Sequence, residues 1–153
     1  MQQGHASFFA IAVLMLLTGI GIPLMATLNA GLGRQLASPA TATFILFAVG
    51  LALSLGVMLA AGGLPLASKF RGIGPHFYLG AAFVVFYIFA ITWAGPKIGI
   101  GNAVFFVLLG QLIAAAAVDH YGLWGAVQSS ITGKRVLGIA VMAFGVYLAR
   151  KPV

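Results

Sequence analysis

The sequence predicts an all-α integral membrane protein of five transmembrane helices, and three observations carry that expectation. Hydrophobic residues make up 62% of the chain and charged residues only 6%, whereas a soluble domain needs roughly a quarter of its residues charged to cover itself. The apolar residues fall into long runs, four of which reach the roughly 20 positions a helix needs to cross about 30 Å of hydrocarbon. None of these runs alternates with a period of two, so the backbone groups are expected to be satisfied inside helices and not in a closed barrel. The 153 residues read as one membrane domain.

The first apolar segment runs from Phe8 to Leu28. It lacks the basic leader and small-residue cleavage site of a signal peptide, so it is expected to be retained as a span. Pro23, preceded by Gly19 and Gly21, is expected to kink or break it, either as a tolerated membrane-helix proline or as a functional hinge. The second segment, Pro39 to Ala60, opens on Ser38-Pro39, which puts proline at a first-turn position where no amide hydrogen is required. Along it Ala48, Ala52, Gly56 and Ala60 recur every fourth position, a stripe on which another helix backbone can approach closely.

Gly74-Pro75 opens the third segment, Pro75 to Ala94, and Gly95-Pro96-Lys97 is expected to stop it. Tyr78 and Trp93 stand near its two ends, where amphipathic rings prefer the interface. The fourth segment, Ile100 to Val118, carries the small pair Gly110 and Ala114 and is followed by Tyr121 and Trp124. The fifth, Val136 to Ala149, has 14 residues, about 21 Å of helix. It crosses only if Lys134, Arg135, Arg150 and Lys151 snorkel outward from its ends. Thr132 is a candidate cap for it.

The net charge of +7 comes from eight basic residues scattered in ones and twos at the ends of apolar runs. That is the flanking pattern of membrane anchors and not a nucleic-acid patch. Membrane lipid is the expected surrounding partner. With five spans, Lys69, Arg71, Lys134 and Arg135 fall on the side of the N-terminus, and Arg34, Lys97, Arg150 and Lys151 on the other. Four against four gives the positive-inside rule no preference. A chain without orientational bias can insert both ways, and two oppositely inserted copies can pair about an axis lying in the membrane plane. Such a pair reproduces, from one sequence, the inverted-repeat architecture of secondary transporters. If the fifth segment does not cross, the tally becomes six against two and a single orientation follows.

Three stretches carry a family resemblance: PLMATLNAGLGRQLASPATATFILFAVG (Pro23 to Gly50), GPKIGIGNAVFFVLLGQLIAAAAVDHYGLWG (Gly95 to Gly125) and KRVLGIAVMAFGVYL (Lys134 to Leu148). Together they resemble the YdcZ-like family of the drug/metabolite transporter superfamily. The elements that carry it are Pro23 followed six residues later by Asn29, the Ser38-Pro39 start, Gly110-Gln111, and Asp119-His120-Tyr121-Gly122. Tyr121 departs from the pattern, where Phe is usual. The resemblance implies a bacterial inner-membrane, multi-pass protein whose two halves or two copies together form a ten-span transporter, which converges with the antiparallel homodimer that the charge tally allows. It implies no particular substrate. The small multidrug resistance branch of that superfamily carries a membrane-embedded glutamate in its first span. Here FFAIAVLMLLTGIGIPLMATL holds no ionisable side chain, so proton-coupled export of lipophilic cations by that route is not expected.

Asp119 is the only acid in the chain. It follows the last apolar residue of the fourth segment, and two roles stand for it. One is pairing with Lys69, Arg71, Lys134 or Arg135 at the helix end. The other is gating or proton relay with His120, a side chain whose charge changes in the physiological range. With His5 and His76 at no helical spacing to it, the pair supplies too few ligands for a metal. No paired carboxylates, triad or phosphate loop is present, no cofactor is implied, and an enzyme is not expected.

Near mid-depth stand Thr18, Gly50, Tyr87, Gln111 and Met142. Gln111 is the costliest to leave in lipid, since its amide carries two donors and an acceptor; it is a candidate for solute binding and equally for interhelical hydrogen bonding. Thr18 shares a helical face with Met25 and Asn29. Asn29 is a candidate solute contact or a cap for a broken first helix. Tyr87, with Phe83 and Ala90, is a candidate aromatic wall. Without acids in such a cavity, a small neutral or anionic organic solute is expected over a cation. The alternative is a small membrane subunit without flux of its own, for which the same spans would serve.

Overall fold

The computed structural model describes residues 2–149, with side chains from residue 8 onward. Arg150 and Lys151, which the sequence places at the far end of the fifth segment, lie outside the described residues, as does the His5 side chain. Among the described residues the secondary structure is entirely helical: α1 (Gln2–Gln35), α2 (Pro39–Ala60), α3 (Gly80–Ile98), α4 (Ile100–Tyr121) and α5 (Gly133–Ala149), with short 3-10 turns between some of them. The chain divides into two compact units, Met1–Pro96 and Lys97–Val153.

In the first unit, α1 continues seven residues past the apolar run that ends at Leu28, reaching Gln35. It passes through Pro23 unbroken, which corrects the expectation of a break. Proline there removes one amide hydrogen, and Thr27 Oγ1 donates to the Pro23 carbonyl at 2.8 Å. The helix ends on a two-bond lock. Ala37 N–H donates to Arg34 O at 3.1 Å and Ser38 N–H to Gly33 O at 3.0 Å, the pairing of a Schellman motif. Ala37 takes the left-handed position of that motif, with φ 50. Ser38 then starts α2: its Oγ accepts from Thr41 N–H at 3.1 Å, and Pro39 follows in the first turn.

Burial in this unit follows helical spacing. On α1 the buried residues are Ala26, Asn29, Ala30 and Gly33; on α3 they are Ile88, Ile91, Thr92 and Gly95. Both sets step by three, one and three positions, one stripe along a helix. Ala42 and Thr43 complete the buried set from α2. Small side chains dominate because bilayer helices gain no hydrophobic drive from one another and rely on close backbone approach. Gly33 shows how close: a Cβ there would lie 3.3 Å from Thr92 Cγ2, 3.5 Å from Pro39 Cα and 3.6 Å from Ala42 Cβ. In contrast, Phe8 to Gly21 of α1 and Ala48 to Val57 of α2 are exposed throughout. The Ala48, Ala52, Gly56, Ala60 stripe is therefore open.

The third apolar segment begins as a 3-10 turn, Pro75–Leu79, before α3 starts at Gly80. Its expected stop at Gly95-Pro96-Lys97 is corrected, since α3 includes Pro96 and Lys97 and ends at Ile98. The break falls at Gly99, whose φ of 86 suits glycine.

In the second unit, α4 begins with Asn102 Nδ2 donating back to Ile98 O at 2.8 Å. It ends at Gly122, φ 59, whose N–H bonds Val118 O. Thr132 caps α5, its Oγ1 accepting from Arg135 N–H at 3.3 Å. That cap starts the helix three residues before the apolar run and gives α5 17 residues. α5 packs against α4.

Among the described residues, four helices are long and apolar enough to cross a membrane: Phe8–Gln35, Pro39–Ala60, Pro75–Ile98 and Ile100–Tyr121. Their outer surfaces are large apolar side chains, with Phe8, Leu28, Phe44, Phe83 and Phe86 each more than two-thirds exposed. Such a surface is stable in hydrocarbon and not in water.

Candidate functional site

The buried polar centre of the first unit joins α1 to α3. Asn29 Nδ2 donates to Thr92 Oγ1 at 2.7 Å, and Thr92 Oγ1 donates in turn to Ile88 O at 2.7 Å. Asn29 and Thr92 are 4% and 2% exposed, so this pair is shielded and structural in its geometry. Asn29 is thus no cap for a broken helix, which corrects that expectation: it sits inside continuous α1 with a partner 63 residues away. Thr92 is a site residue the sequence reading missed. Its signal was present, as the lone threonine of α3, but nothing in local spacing points it at Asn29.

Thr18 is exposed, and its hydroxyl is committed to its own helix, donating to Leu14 O at 2.9 Å. Tyr87 is half-buried, yet its hydroxyl is fully buried with no hydrogen-bond partner among the described residues. A buried hydroxyl left unpaired costs about 1–3 kcal/mol, so a group that bonds it would be favoured there. Phe83, expected beside it as an aromatic wall, is 72% exposed. Within the first unit, then, Thr18, Asn29 and Tyr87 are not gathered into one polar cluster. Gln111 belongs to the second unit and is exposed on α4.

At the C-terminal end of α4 the acid and imidazole anchor the connection to α5. Arg135 Nη2 donates to Asp119 Oδ2 at 2.6 Å. Among the four cations that the sequence offered Asp119, Arg135 is the one that holds it. Asp119 O accepts from Ser129 N–H at 2.8 Å. His120 O accepts from Gln128 Nε2 at 3.2 Å, and His120 Nδ1 accepts from Ile131 N–H at 3.2 Å. The two residues therefore fold the 126–132 segment back onto the helix end. His120 Nδ1 is occupied, and no group of three metal-ligating side chains forms among the described residues.

The chain consequently has apolar helices, one shielded polar contact, one unpaired buried hydroxyl and a charge pair at a helix end, with no reactive constellation among the described residues. No curated protein and no solved structure matches it. A family model described as "Putative inner membrane exporter, YdcZ" matches residues 10–148. With nearly the whole chain covered, the protein belongs to that family of inner-membrane exporters.

Proposed function

We infer that the protein exports a small neutral or anionic organic solute by alternating access, as an antiparallel homodimer of five-span chains. The match to inner-membrane exporters over residues 10–148 carries the export reading. Two further observations support the finer parts.

The first is charge. The sole acid in the sequence is held by Arg135 in the last turn of α4, which leaves no fixed negative charge near the middle of a span to attract a cation. Basic residues stand at both ends of the helices, and such rims favour anionic or neutral solutes. The second is the tally of cations, four on each side when α5 crosses. Its 17 residues give about 25 Å of helix, enough when Lys134 and Arg135 at its start extend toward headgroups.

Uptake into proteoliposomes tests the reading, with anionic, neutral and quaternary ammonium solutes in competition. Accumulation of anionic or neutral solutes is expected. A preference for quaternary ammonium compounds would overturn it, and obligate co-purification with a different membrane subunit would favour a non-transporting component. Within that assay Tyr87→Phe removes a hydroxyl that has no protein partner among the described residues. It is expected to stabilise the solute-free protein by about 1–3 kcal/mol, the cost of the unpaired hydroxyl, while weakening solute binding about tenfold, the loss of one hydrogen bond to a bound group.

A further inference from the structure

Gln111 lies at the middle of α4, with eleven helical residues before it and ten after, in the span Ile100–Tyr121. It is exposed and has no hydrogen-bond partner among the described residues. An amide at that depth faces hydrocarbon unless something covers it. On the same helical face, at offsets of four, three and seven, stand Val107, Ala114 and Val118, with Gly110 at its edge. Gly110 and Ala114 are exposed, and a Cβ added at Gly110 would meet nothing. Val107 and Val118 are half-buried, and the middle of the face, around Gln111 and Ala114, is open and low enough in profile for a helix backbone to reach the amide.

What fits it is set by symmetry and by hydrogen-bond complementarity. In a pair related by an axis in the membrane plane, the residue at mid-depth is the one that meets its own counterpart. A primary carboxamide is complementary to itself: each NH2 donates to the other's carbonyl oxygen, so two amides close two reciprocal hydrogen bonds. We propose that α4 of one copy packs against α4 of a second, oppositely inserted copy, with the two Gln111 side chains paired across the axis. This rests on the antiparallel reading above and assigns it a contact. Residues equally far from Gln111 then meet one another, Val104 of one copy with Val118 of the other.

The cysteine-free chain makes the test direct, because a disulfide or a short thiol cross-linker requires Cα atoms within about 7 Å of each other or little more. Full-length chains carrying Gln111→Cys are expected to cross-link to themselves in native membranes. Differently tagged chains carrying Val104→Cys and Val118→Cys are expected to cross-link to each other and not to themselves. Self-linking at Val104→Cys and at Val118→Cys would show parallel packing and overturn both the contact and the antiparallel reading. Absence of all three cross-links, with Ser68→Cys labelled from both membrane faces, would overturn the α4 contact while leaving the antiparallel reading in place. Gln111→Leu keeps the bulk and loses the amide. It is expected to lower the dimer population in detergent about tenfold, and an unchanged population would count against the amide pair.

Discussion

Asn29 and Thr92 link helices 63 residues apart in the chain through one shielded amide–hydroxyl bond. In membrane interiors such bonds contribute about 0.6 kcal/mol on average and up to about 1.7 kcal/mol. A double-mutant cycle of Asn29→Ala and Thr92→Val, read by unfolding in mixed micelles, is expected to give a coupling energy in that range. Additive single effects would mean the bond contributes nothing. Asp119 shows the opposite case. Its side chain is 37% exposed, so solvent screens the pair with Arg135, and exposed pairs of this kind contribute about 0–1 kcal/mol. Asp119→Asn is therefore expected to change stability by less than about 1 kcal/mol and to retain transport; abolished transport would make the carboxylate a functional group. Here the sequence told which residues are polar within apolar runs, and not what they touch. Asp119 had four candidate cations and Asn29 none, because partner choice depends on helix packing that residue spacing does not encode.

Ala37 sits between α1 and α2 in the left-handed conformation that closes the Schellman motif. A side chain there costs roughly 1 kcal/mol relative to glycine. Ala37→Gly is expected to raise stability by about 0.5–1 kcal/mol in the same unfolding measurement, and a loss would show that the motif does not set the end of α1. Helix starts were legible where chemistry marks them: Ser38-Pro39 is read as a helix start and Thr132 as a cap, and the Ser38 and Thr132 hydroxyls each accept from the amide three residues on. Helix ends were less so. Pro96 looked like a stop and is carried inside the last turn of α3, three residues before the left-handed Gly99, at the cost of the one bond its amide would have donated to the Thr92 carbonyl. Beyond Leu28, α1 continues through the buried Asn29, Ala30 and Gly33, with Asn29 bonded to Thr92 and Gly33 close to Thr92, Pro39 and Ala42, a tertiary effect that hydropathy does not report.

For the whole molecule, apolar composition made helical membrane residence readable at once, and the family match agrees with it. The solute was not readable, since no charged group near the middle of a span specifies one. The proposed antiparallel dimer depends on the equality of the basic residues about five crossings. Ser68, exposed in the α2–α3 connection, reports on it directly. The most direct measurement is labelling of a Ser68→Cys chain in intact cells, with a membrane-impermeant maleimide applied to each face in turn. Comparable fractions of the protein reacting from the two faces is the result this account predicts. Reaction from one face alone would contradict it.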